Sequence, residues 1–158
     1  MTSGKPRALA ENKSPSGKKN GMIRKNLYAR LFERVKDSIH NEYFLEAITL
    51  EESFIADRLE SYCFYKALIK GSKRTLGKLI ERLKGNVTPF SPKLLDQVDK
   101  WWKGRCKCIH EMPKFDDGED PDWDERMKHA KQIAAIGEKL MRSVDKEIVR
   151  LRRSSVKS

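Results

Sequence analysis

Arg105, Glu51 and Arg58 stand where the sequence pattern calls for aliphatic side chains, and an imidazole, His110, follows the first of them by five positions. With each residue advancing ~100° around a helix, Arg105 lies ~20° from both Val98 and Leu94 on the apolar arc of a helix that starts at Ser91. Glu51 and Arg58 fall inside the apolar arc of an earlier helix, between Ile55 and Phe54, with Glu52 at the other edge of that arc. Desolvating an unpaired charge costs several kcal/mol, so Arg105 needs an acid, an anionic ligand or a water-filled cleft. If the two helices face one another, Glu51 counters Arg58 or Arg105, and net positive charge remains in an apolar groove: an anion site. The same residues allow a second arrangement, a closed Glu51–Arg58 salt bridge with Arg105 snorkelling at a helix end. His110 adds the side-chain type that changes charge between pH 5 and 8, and a helix C-terminus favours its charged form. On a straight helix the two residues lie ~140° apart. Convergence therefore calls for a bend, which Pro113 and the acidic residues after it suggest, or for a second copy of the chain presenting its own Arg and His to the same cleft.

The elements that carry these residues are helices. Ile23, Leu27, Leu31 and Val35 recur every four residues from Met22 onward and predict a first amphipathic helix. Residues 41–70 contain neither Pro nor Gly and predict a second, with Phe44, Ile48, Ile55, Leu59, Tyr62 and Ile69 on one arc and Gly71 as its stop. A short third helix spans Leu76 to Lys84 and breaks at Gly85-Asn86. Ser91 as N-cap and Pro92 in the first turn open a fourth, which Pro113 should end. From Trp123 the apolar positions Met127, Ala130, Ile133, Leu140, Val144, Ile148 and Leu151 mark a final helix of about 28 residues. No segment reads as a strand. The expected fold is all-α, a single bundle of four or five helices over residues 22–153, between a disordered basic tail at 1–21 and a short tail at 154–158.

Length and composition set the class. A chain of 158 residues has the usual size of one domain. No run approaches the ~18 apolar residues needed to cross a bilayer, and the first twenty residues lack the apolar core of a secretory signal, so the expectation is a cytoplasmic protein with no membrane contact. Three cysteines, an odd number, argue for reduced thiols rather than a disulfide framework. The net charge of +11 is unevenly spread: residues 66–107 carry a net +9 and residues 126–158 a net +7, on either side of a block at 111–125 with a net −7. Concentrated positive charge favours a polyanionic partner, nucleic acid first among them.

The run Trp-Trp-Lys-Gly-Arg-Cys-Lys-Cys-Ile-His at residues 101–110 resembles the R-x-x-x-x-H signature of the HEPN superfamily of small helical proteins. The context is similar too: a long helix with embedded acids precedes the signature and another helix follows it, over roughly residues 24–151. Many members of that family are metal-independent endoribonucleases of toxin, antiphage or RNA-processing systems, with the active cleft formed between two subunits. The resemblance implies that Arg105 neutralises the scissile phosphate and that His110 is the general base or acid. It further implies RNA as the substrate, through attack of its 2′-hydroxyl on phosphorus, a homodimer with a composite site, no cofactor, and an antitoxin or regulatory protein as a possible partner. Two positions depart from the family pattern. Cys106 stands where a polar residue such as Asn often follows the Arg, and Met112 stands where the subgroup controlled by adenylylation has its Tyr.

Other residues allow further readings. Glu51, Glu52 and Arg58 form the expected polar cluster supporting Arg105. Lys103 and Lys107 beside the signature, Lys78, Arg82 and Lys84 on the third helix, and Arg150, Arg152 and Arg153 near the end of the last are the cations expected to guide an RNA backbone. Trp101 and Trp102 could stack on bases, although two Trp in mid-helix more often belong to a core or dimer interface. Cys106, Cys108 and His110 spell C-x-C-x-H, which invites zinc with Cys63 or His129 as fourth ligand. Structural zinc sites usually draw paired ligands from two knuckles or strands, so no metal is expected. His40 reads as a capping or surface residue.

Overall fold

A computed structural model describes residues 17–71, 74–119 and 122–156. They form an all-α bundle of five helices: α1 (Gly17–His40), α2 (Phe44–Tyr65), α3 (Leu76–Lys84), α4 (Pro92–Glu111) and α5 (Trp123–Val156). No helix among the described residues is long and apolar enough to cross a membrane.

The caps explain where several helices start. Thr75 Oγ1 accepts the Lys78 amide and opens α3, while Ser91 Oγ accepts the Leu94 amide and opens α4 with Pro92 in its first turn. Other ends differ from expectation for physical reasons. α1 begins at Gly17 because a helix satisfies its own backbone without burial, so apolar periodicity marks where it meets the bundle rather than where it starts. The tail expected at 1–21 otherwise lies outside the described residues. α2 covers Phe44–Tyr65 rather than 41–70, because the chain reverses direction through left-handed backbone at Glu42 (φ 62°) and again at Ala67 (φ 57°). α5 runs 34 residues to Val156, longer than the expected 28 or so and past the expected end of the bundle at 153; Tyr65 Oη and Ser155 Oγ meet at 2.7 Å and tie its last turn to α2.

α2 is the central helix, packed against each of the others. Its buried Ile48, Phe54, Ile55, Leu59 and Tyr62 meet Met141, Val144 and Ile148 of α5, Val98 of α4, Leu79 of α3 and Val35 of α1 in one core. Burial of each such side chain is worth about 1.5–3 kcal/mol. α2 and α5 run parallel, as the pairs Arg58–Asp145 and Ser61–Arg152 show, and α4 runs antiparallel to both. α4 and α5 approach closely where Gly104 faces Ile133, and Trp101 Nε1 donates to the Ile133 carbonyl at 2.9 Å. That bond fixes the rotation of α4, and with it the direction in which Arg105 points.

Candidate functional site

Arg105 leaves α4 toward α2 and meets Glu52, not Glu51: its Nε lies 2.5 Å from Glu52 Oε2, and both side chains are 23% exposed. The pair bridges α2 and α4 in a partly exposed seam. The Arg105 Nη1 edge reaches Cys106 Sγ at 4.0 Å. One carboxylate thus engages the guanidinium at Nε, and a guanidinium carries five N–H donors.

Of the expected polar cluster, Glu52 reaches Arg105 and Glu51 and Arg58 do not. Arg58 is nearly buried and makes an ion pair with Asp145 of α5 at 3.0 Å, with its guanidinium over the Tyr28 ring at 5.4 Å. It joins α1, α2 and α5 and lies outside the seam. Glu51 is fully buried, and among the described residues neither carboxylate oxygen has a hydrogen-bond partner. It fills the space left by Gly137, where a Cβ would meet Glu51 Oε2 at 1.9 Å and Trp101 at 2.9 Å. Burial, with a smaller contribution from the Glu138 charge, pushes its carboxyl up to about 9. Glu51 is therefore a neutral acid at pH 7 and counters no cation. The alternative Glu51–Arg58 bridge is likewise not formed. Adjacent residues on α2 point ~100° apart, and the rotation of α2 turns Glu52 to the seam and Glu51 to the core.

His110 is exposed about 1.4 turns beyond Arg105, and Cys106, after Arg105, is partly buried. The expected bend does not occur: α4 is continuous through Glu111. The reason is a clamp that sequence reading missed. The Arg126 guanidinium, on the first turn of α5, donates to the carbonyl oxygens of Glu111, Met112 (2.9 Å) and Lys114 (2.5 Å). It satisfies the open end of α4 and keeps the last turn helical. Arg105 and His110 of one chain thus stay ~140° and ~7.5 Å of helix rise apart.

The cations expected to guide RNA separate into two groups. Lys84 is held by Asp99 (2.7 Å) and Asp96 (3.2 Å), and Lys103 by the same Asp99 (3.2 Å). Those lysines hold the Asp99 carboxyl below its usual range. Arg150 grips Glu147 through two contacts of 3.0 and 2.7 Å. Arg152 is half-buried, donates to Ser61 Oγ at 2.7 Å and covers the Tyr65 ring, and burial first, then the Arg58 and Arg24 charges, hold its guanidinium below the usual range. These four serve the fold. Lys107 and Lys78 make loose contacts, with Glu111 at 4.0 Å and with Glu81 at 3.6 Å, and Arg82 and Arg153 are exposed. Asp99 and Asp145, like Arg126, carried no sequence signal beyond their helical register.

The tryptophans belong to packing. Trp101 is buried with its N–H satisfied, and Trp102 lies against Gly77 of α3, where a Cβ would meet its ring at 2.7 Å. Cys108 is buried on one flank of α4, whereas Cys106 and His110 face the other; among the described residues no three His, Cys, Asp or Glu side chains converge as a metal would need. Burial pushes the Cys63 thiol up to about 11 and raises that of Cys108, which makes both poor nucleophiles.

Compared with known proteins, the chain matches no family model, no curated protein and no solved structure.

Proposed function

We propose that the α2/α4 seam is one half of a metal-independent endoribonuclease site, completed by a second copy of the chain. The observation that carries this reading is the placement of Arg105: a permanent cation in a partly exposed seam, aimed by a single carboxylate near Nε, five residues before an exposed imidazole on the same helix. The resemblance of residues 101–110 to the HEPN signature supports it, as does the net charge of +11.

One straight helix holds Arg105 and His110 too far apart in angle to address one phosphate, so the His110 of one protomer acts with the Arg105 of its partner across a two-fold axis at the seam. The RNA 2′-oxygen attacks the adjacent phosphorus and passes its proton to the imidazole. The P–O5′ bond breaks, the leaving 5′-oxygen takes a proton from water while the imidazolium returns its own to solvent, and a 2′,3′-cyclic phosphate and a 5′-hydroxyl end result. Arg105 offsets the charge that builds on the phosphoryl oxygens in the transition state. Glu52 is a positioning residue that aims the guanidinium. A neutralising or regulatory protein that covers the seam belongs to the same proposal.

The test is incubation of the purified protein with single-stranded RNA in EDTA, followed by analysis of the ends. Wild type should generate cyclic-phosphate ends; Arg105→Ala and His110→Ala should each abolish them while the helical circular dichroism is retained. The Glu52–Arg105 ion pair favours one other reading, a noncatalytic RNA-binding or adaptor bundle in which the two are structural partners. That reading gains if Arg105→Ala lowers thermal stability markedly and wild type leaves RNA intact.

A further inference from the structure

The outer face of α3 combines three features. Lys78 and Arg82 stand one helical turn apart on α3, and Arg74, just before the extended N-cap Thr75, borders the same cleft, so the three cations form a row. They line a cleft of about 430 Å³ with Gly85 and Asn86, and the one carboxylate there, Glu81, makes only a distant contact with Lys78, at 3.6 Å. Arg74 Nε is buried without a hydrogen-bond partner among the described residues. The positive field of the row reaches inward, where Arg74 and Arg82 act against the burial that raises the Cys63 thiol. α3 also lies beside the seam, since Gly77 abuts Trp102, one turn of α4 before Arg105 and Cys106. By contrast, the neighbouring Lys84 and Lys103 are consumed by Asp96 and Asp99.

We infer that the Arg74–Lys78–Arg82 row is a track for the phosphodiester backbone of single-stranded RNA, which it leads toward the α2/α4 seam. Its connection to cleavage rests on the ribonuclease reading; its binding role does not. A concave row of cations follows successive phosphates without reading bases, so the track is indifferent to sequence. Each phosphate neutralised on a single strand steepens the dependence of log affinity on log salt by about 0.7, so three contacts contribute a slope of about 2.

The probe is a fluorescein-labelled 2′-O-methyl RNA 20-mer, which lacks the attacking hydroxyl and survives incubation with the wild-type full chain. Its binding is followed by anisotropy from low to moderate salt. Arg74→Gln/Lys78→Gln/Arg82→Gln is compared with Lys128→Gln/Lys139→Gln/Lys146→Gln, which removes the same charge from exposed positions of α5. The α3 triple should lose about tenfold in affinity and about 2 in salt slope, and the α5 triple should lose little of either. Should the α3 triple fail to fold, single Lys78→Gln and Arg82→Gln changes should each lower the slope by about 0.7. Equal losses in the two triples, or an unchanged slope in the α3 variants, overturn the inference. If wild type leaves ordinary RNA intact in EDTA while the α3 triple still loses its slope, the ribonuclease reading falls and the track stands. If wild type cleaves and the α3 triple binds and cleaves as wild type does, the track falls alone.

Discussion

Replacing Glu51 with Gln isolates the least ordinary group in the core. The carboxyl is fully buried, has no hydrogen-bond partner among the described residues, and is held up to about 9 by burial and by Glu138. A carboxyl whose folded-state pKa exceeds its unfolded value of 4.5 binds more protons in the folded state across that interval, so stability falls as pH rises from about 4.5 to about 9. Each step of one in pH across that interval costs about 1.36 kcal/mol; at pH 7 the wild type therefore forfeits about 3 kcal/mol, and near pH 9 about 6 kcal/mol. Glutamine has a similar shape and no charge to lose. Urea unfolding followed by tryptophan fluorescence, from pH 5 to pH 9, should show the two proteins within about 1 kcal/mol of each other at the acid end. They should then separate to about 3 kcal/mol in favour of Glu51→Gln at pH 7. Groups common to both proteins cancel in the difference. Parallel stability curves would refute the reasoning, because they would mean that Glu51 titrates normally in the folded protein and has found water or a cation.

Gly137→Ala places a methyl against the Glu51 carboxyl, where a Cβ would come within 1.9 Å, and should destabilise the bundle by about 1–3 kcal/mol. Adding Glu51→Ala opens that space, so a double-mutant cycle by chemical unfolding should show strong non-additivity; simple addition of the two losses would contradict the packing described. Arg126→Ala removes the clamp on the end of α4 and should cost about 1–3 kcal/mol. Hydrogen exchange should then show faster exchange over the last turn of α4 and unchanged protection in α2. Asp99→Asn releases Lys84 and Lys103 together, yet those lysines are 40% and 70% exposed, so unfolding should register less than about 1 kcal/mol.

The parts of this structure legible in the sequence are those set by local chemistry. Ser91 and Pro92 announce where α4 begins, and Gly85 ends α3 at the expected residue. The reversals at Glu42 and Ala67 carry no such mark, because ordinary residues occupy the left-handed region there. Arg105 stood out as a cation on an apolar arc, but its partner could not be chosen from helical spacing. Glu51 and Glu52 differ by one step of rotation, and the bond from Trp101 to the Ile133 carbonyl, together with the space left by Gly137, decides which one reaches α4. The straightness of α4 through His110 depends on Arg126, a residue of another helix that lies across a loop. Long-range contacts of this kind leave no periodic trace. The same holds for Asp145, which takes Arg58 away from the seam.

Mixing two inactive variants tests the composite site most directly. Arg105→Ala and His110→Ala protomers, combined in equal amounts and allowed to exchange, form hybrid dimers with one intact pairing of partner Arg and His. With half of the dimers hybrid and one of two sites restored in each, cleavage of single-stranded RNA in EDTA should return to about a quarter of the wild-type rate, with cyclic-phosphate ends. A mixture as inactive as its components, beside an active wild type, would contradict a site shared between subunits; an inactive wild type would remove the ribonuclease reading itself.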